Sequence, residues 1–292
     1  STAPFDTATI TGTDFTNVTG SYTTWTSATL LRPNFTGADL TGANFTSATL
    51  TTATATGANL TGANLKSTTL TDLSAVGATL DGASLVQTSL TGAVLNNASM
   101  VGVTGRYASL ADANLTGVDL TGASLVWSNF DNASAYGATL AGASITDSSF
   151  NRTKFHNADL TAAVLAGSKM ANVSLWAADL TGADVSYTDM TAADLWYANF
   201  TNANLTGTVL ADASGRSVNM AGADLTGAVI TRSGPYLAGL LHVSDISGAD
   251  LTGATLTGAT LTGAFASSAT TWPTGFDPLA AGVITWTPTP PR

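Results

Sequence analysis

The chain has no cysteine and no glutamate. The first absence excludes disulfides and thiolate metal sites. The second means that all 19 acidic residues are aspartate. Glutamate favours helices, whereas aspartate and asparagine tolerate turns and bond to their own backbone. Long helix-forming side chains are scarce as well, so a helical fold is disfavoured from the outset. Charged residues make up only 10% of the chain, against about 25% in ordinary soluble proteins. Nine basic residues leave a formal charge of −10. The positive footprint that direct nucleic-acid binding requires is therefore missing. No run of about 18 apolar residues occurs, so no membrane span is expected. No signal peptide is recognisable. Low charge, abundant threonine and the linker-like tail Thr287-Pro288-Thr289-Pro290-Pro291 slightly favour an extracellular setting over a cytoplasmic one.

Threonine, alanine and glycine dominate, and they recur in step. Of the 45 positions taken every fifth residue from Ile10 to Ile230, 39 are Leu, Phe, Ile, Met, Val or Trp. The exceptions are Gly20, Ala55, Ala75, Gly105, Ala135 and Gly215. A small residue usually lies two before each centre, as at Ala38, Ala43 and Ala48. Asp, Asn, Thr or Ser commonly lies one before it, and Thr-Gly often follows. A period of five sweeps around an α-helix and leaves no apolar face. It does not fit the period of two of a simple strand either. It fits a coil that turns a corner every five residues, with large centres inward and Gly or Asn where positive φ is needed.

Ala38-Asp39-Leu40-Thr41-Gly42, Ala58-Asn59-Leu60-Thr61-Gly62 and Ala223-Asp224-Leu225-Thr226-Gly227 resemble the A(D/N)LXX signature of pentapeptide-repeat proteins. The resemblance runs through roughly residues 10–264 and implies an all-β, right-handed quadrilateral β-helix with four pentapeptides per coil. About 12–13 coils at about 4.8 Å spacing give a rod roughly 60 Å long. Residues 1–9 are the expected lead-in. The repeat occupies 10–264, with a one-residue insertion near 231–236 that shifts the centres to Tyr236, Leu241, Ile246, Leu251, Leu256 and Leu261. Residues 265–287 are expected to cap the last coil through Trp272 and Phe276, and 288–292 form a Pro/Thr tail.

Residues 20 apart should stack in columns, which turns the sequence into four faces. Four of the six undersized centres share the column through Phe15 and Phe35, where large neighbours such as Phe45 and Phe130 are expected to fill the space. The outward residues of that column include Tyr136, His156, Trp176 and Trp196, with Tyr197 beside them. Contiguous exposed aromatics mark an interaction surface, or else a structural ladder. On another face the pairs Thr9/Thr11, Thr49/Thr51, Thr69/Thr71 and Ser89/Thr91 form an array. It resembles the Thr-x-Thr rows of ice-binding solenoids, although Leu31 and Arg32 interrupt it.

His156 and His242 are the two histidines, and neither sits in a nucleophile or metal-ligand pattern. Asp179, Asp184, Asp189 and Asp194 are close in sequence but fall on four different sides of one coil. No catalytic residue, cofactor or metal is expected. The sequence therefore reads as a non-enzymatic scaffold or binding module that meets a protein partner or itself through flat faces. The family resemblance adds an alternative, the DNA-mimicking proteins that interact with DNA gyrase. It is not favoured, because the best acidic stripe (Asp39, Asp119, Asp159, Asp179) is sparse. Ice binding through the Thr rows is a further alternative.

Overall fold

The computed structural model describes residues 5–231 and 245–286. The chain divides into two compact units, Ser1–Ser149 and Phe150–Arg292. Each is a right-handed quadrilateral β-helix without helices among the described residues. The regular strands are β1 (Thr9–Thr11), β2 (Thr29–Leu31), β3 (Thr49–Thr51), β4 (Thr104–Arg106) and β5 (Ser124–Val126) in the first unit. In the second they are β6 (Phe265–Ser267) and β7 (Ile284–Trp286). Elsewhere the coils are joined by single parallel bridges, such as Asp39 to Asn59 and Asp179 to Asn199.

The repeat follows from where the five amide N–H groups of each unit go. Counting from the inward centre, the centre donates to the next coil (Phe15 N to Asn34 O, 2.7 Å), and so does the second residue after it (Asn17 N to Thr36 O, 2.9 Å). The residue before the centre donates back to the previous coil (Asn34 N to Thr13 O, 3.0 Å). The residue two before it closes the corner (Ala38 N to Phe35 O, 3.0 Å). The fifth amide, just after the centre, is taken by the side chain two residues earlier. Thr36 N and Thr36 Oγ1 both donate to Asn34 Oδ1, at 3.1 and 2.7 Å. Thr41 does the same to Asp39, and Thr61 to Asn59. Asp or Asn before the centre and Thr after it therefore complete the backbone accounting. Glutamate, one methylene longer, is not built for this local turn.

Every fifth residue from Thr7 to Gly227 is left-handed, with φ between 49° and 70°. Glycine meets this without cost, yet 27 of these corners carry a side chain, at roughly 1–2 kcal/mol of strain for the bulky ones. Such a side chain leans over the corner of the next coil. A Cβ at Gly42 would fall 2.5 Å from the Tyr22 ring, and one at Gly207 would fall 2.7 Å from Tyr187. Glycine in those corners thus makes room for the tyrosine one coil earlier.

In the first unit two regions open their corners and so gain true strands. Pro33 has no N–H to close the corner after Leu30, and β1, β2 and β3 pair in parallel around it. At β4 and β5 the closing amides are diverted to serines one coil on. Ala108 N donates to Ser128 Oγ (3.2 Å), and Ser128 N donates to Ser148 Oγ (2.9 Å).

The inner residues pack in columns. Phe5, Trp25 and Phe45 stack (4.1 and 5.7 Å between centroids), Phe15 and Phe35 stack at 4.9 Å, and the two columns meet edge-on. Undersized centres are accommodated differently. Gly105 is filled by Leu125 Cδ2 and the Leu85 backbone, 3.0 and 3.1 Å from a Cβ position. A void of about 10 Å³ remains beside Gly215, lined by Leu195, Leu210, Met220 and Ile246 among others, no larger than one water.

The expected one-residue insertion near 231–236, with the centres Tyr236 and Leu241, lies outside the described residues. The register on either side departs from that expectation. Ser214 pairs with Asp245, Asn219 with Asp250 and Val229 with Thr260, so each partner is 31 positions on rather than 20. Eleven residues beyond one coil therefore separate the stacked strands. Ile246, Leu251 and Leu261 are buried, while Leu256 is half-buried. In the segment expected to cap the array, β6 and β7 pair in parallel and Trp272 stacks on Phe276 at 5.2 Å. Residues 288–292 lie outside the described residues.

Candidate functional site

A centre that points inward forces its neighbours outward, so each face carries two outer columns. In the second unit one column runs Lys154, Ser174, Asp194, Ser214 and Asp245, each bridged to the next. Beside it stand His156, Trp176, Trp196 and Arg216. Trp176 and the corner residue Tyr197 are exposed (38% and 56%), whereas His156 and Trp196 are half-buried. The rings are in contact: His156 to Trp176 at 6.1 Å, and Trp176 to Tyr197 edge-on at 6.2 Å. Trp196 Nε1 donates to Ser214 Oγ. The Arg216 guanidinium lies 5.5 Å from the Trp196 ring and pairs with Asp245 at 2.9 Å. Four of the five expected residues are thus brought together. Tyr136 belongs to the first unit, where it is half-buried.

Ser174 Oγ bonds both His156 Nε2 (2.7 Å) and Asp194 Oδ2 (3.0 Å). With its proton on the carboxylate side, the hydroxyl accepts from the imidazole. An activated nucleophile needs the opposite sense. Asp179, Asp184, Asp189 and Asp194 occupy separate bridge columns, and each accepts from the amide two residues on. They are four corner locks, not a cluster. Hydrogen bonds from Thr41 and Ser21 hold the Asp39 carboxyl below its ordinary value, and bonds from Thr271 and Thr252 do the same for Asp250. No group of three or more metal-ligating side chains occurs among the described residues. No described helix is long and apolar enough to cross a membrane.

The threonine array is in register. Thr9, Thr29, Thr49, Thr69 and Ser89 align in one column, and Thr11, Leu31 and Thr51 align in the other. Leu31 breaks the second column. The Thr91 hydroxyl, also in the expected array with Thr71, is bonded to Ser109 at 2.9 Å.

Reading one outer column missed a second aromatic group. In the first unit Tyr107 stacks on Trp127 (5.4 Å, 19°), and the Arg106 guanidinium lies 4.2 Å from the Trp127 ring. Both aromatics sit at left-handed corners, a position at which the sequence reading had looked for Gly and Asn. Tyr187, 69% exposed, occupies a further corner.

These features define a repeat solenoid that displays side chains in ordered outer columns. The chain belongs to the pentapeptide-repeat family: the model for pentapeptide repeats matches in eight copies, over residues 34–72, 76–104, 106–134, 123–161, 158–196, 197–232 and 244–270. Among solved structures it is similar to HetL, a pentapeptide-repeat protein involved in heterocyst differentiation regulation in the cyanobacterium Nostoc sp. strain PCC 7120. Identity is 27% over 79% of this chain and 87% of that one, with a TM-score of 0.30. It is also similar to QnrB1, a plasmid-mediated fluoroquinolone resistance protein, at 17% identity over 80% and 90%, with a TM-score of 0.27. A pentapeptide-repeat protein of the Arabidopsis thaliana thylakoid lumen matches at 27% over 43% and 69%, with a TM-score of 0.19. The family assignment rests on the repeat itself. No curated protein matches the chain.

Proposed function

We propose that this chain is a non-enzymatic scaffold or binding module that mediates protein interaction or assembly through its flat faces. Its contact surface is His156, Trp176, Trp196 and Tyr197, all in the second unit. The observation that carries the reading is the exposure of Trp176 and Tyr197 in ring-to-ring contact. The core does not use these rings, and Trp, Tyr and Arg are the residues on which interfaces concentrate their energy. The test is a pull-down and a sedimentation measurement on the full chain and on Trp176→Ala/Trp196→Ala. Loss of partner capture or of self-association supports the surface. Retention of both at wild-type strength sinks it.

The gyrase-directed reading draws only on the family resemblance. Against it, Asp39 and Asp119 in the first unit are separated by Asn59, Thr79 and Ser99 in their bridge column, too sparse to imitate phosphates. Both also spend an oxygen on the local turn.

A further inference from the structure

We propose that Arg106, Tyr107 and Trp127 form a second binding site, in the first unit, that takes an acidic segment of a protein partner. It is separate from the aromatic column of the second unit and does not rest on that reading.

Several departures from the repeat converge here. The centre Gly105 replaces a large apolar residue. Two corners carry Tyr107 and Trp127 at φ 60° and 54°. Ser128 and Ser148 divert the closing hydrogen bonds of the same two corners, so that β4 and β5 become extended and pair in parallel. Places where a chain breaks its own local rule without a folding gain are where function is expected. What the departures produce is an exposed group: Arg106 and Tyr107 stand in solvent and Trp127 is 40% exposed.

The chemistry of the ligand follows from Arg106. Among the described residues it makes no ion pair. A guanidinium resting on an indole keeps its in-plane N–H donors for a carboxylate, which it binds in bidentate fashion. Charge decides between occupants. A second copy of a chain with net charge −10 is repelled as a whole. A partner that brings only a short acidic stretch to one arginine is not. Tyr107 and the guanidinium both lie on the indole, so the site offers ring edges and a cation rather than the bare ring a sugar stacks on. Asp147 holds the next corner of that column, one coil past Trp127, and makes no ion pair with Arg106 among the described residues.

The experiment uses the full chain and a fluorescein-labelled peptide, Glu-Leu-Glu-Tyr-Glu, read by anisotropy. The Gln-Leu-Gln-Tyr-Gln counterpart and polygalacturonate serve as comparators. The expected result is saturable binding, weakened about tenfold or more by Gln in the peptide or by Arg106→Ala, and by added salt. Tyr107→Gly and Trp127→Gly place glycine in left-handed corners that suit it, so they fold and lose affinity. Trp176→Ala binds as the wild type does. Equal binding of the Glu and Gln peptides, an unaffected Arg106→Ala, or no saturable binding overturns the proposal. Loss of binding in Trp176→Ala alone, or polygalacturonate displacing the peptide at lower concentration, overturns it too.

Discussion

Asp39→Ala is the sharpest perturbation of the backbone accounting. Asp39 Oδ1 accepts from Thr41 N (3.1 Å) and Thr41 Oγ1 (2.6 Å), and Oδ2 accepts from Ser21 Oγ (2.7 Å). Hydrogen bonds to a charged acceptor are worth about 1.5–3 kcal/mol when fully buried. Asp39 is half-buried, and the two hydroxyls regain water when it is truncated. The main loss is therefore the Thr41 amide, and the net cost should be about 1–2 kcal/mol. Asp39→Asn keeps the acceptor. Asn59, next in the column, shows the substitute geometry: its Oδ1 takes the Thr61 amide at 3.1 Å and its Nδ2 reaches Thr41 Oγ1 at 2.9 Å. The Asn variant should thus cost less than about 0.5 kcal/mol. Stacked repeats need not unfold as one unit, so the readout is hydrogen exchange at the Thr41 amide together with a denaturant melt. Equal destabilisation by Ala and Asn, or unchanged Thr41 protection in the Ala variant, refutes the reasoning.

Other outcomes follow from the same contacts. Asp14, Asp39, Asp224 and Asp250 are held below the ordinary 3.8 by hydrogen bonds to their charged forms. A folded-state value below the unfolded one gives stability that is complete above the unfolded value and lost as pH falls through the folded one. Melts should weaken below about pH 4, and less so in Asp39→Asn. Gly105→Ala should destabilise by about 1–3 kcal/mol, because its Cβ meets the Leu85 backbone. Gly57→Ala meets nothing within 4 Å and should cost only the roughly 1–2 kcal/mol of a left-handed residue. A supercoiling assay with micromolar protein should show no inhibition of gyrase. The interrupted array around Leu31 should give no thermal hysteresis.

The fold was legible because one apolar residue in five fixes which side chains point inward. That same period explains what was hidden. A phase slip reports an insertion only modulo five, so the eleven extra residues before Asp245 looked like one. Gly and Asn announced their corners, but Tyr107 and Trp127 occupy equivalent corners against their own propensity. In the sequence that spot is marked by the undersized centre Gly105 and by serines at 128 and 148 where alanine is usual. Aspartate before the centre was seen as turn-tolerant, while its task of taking the fifth amide needed the hydrogen bonds. Within the candidate surface, column arithmetic placed His156, Trp176 and Trp196 correctly. The same arithmetic stacks Arg216 after Trp196 and Asp194 after Ser174, but the hydrogen bonds of the Ser174 hydroxyl and the guanidinium–indole contact are visible only in the side chains.

The most direct test of the scaffold reading is partner capture and self-association of the full chain with the second-unit rings removed. Trp176→Ala/Trp196→Ala should keep the wild-type circular dichroism spectrum and lose about tenfold or more in affinity for whatever the wild type binds, as interface anchors do. A variant that keeps both its fold and its wild-type affinity would contradict the account.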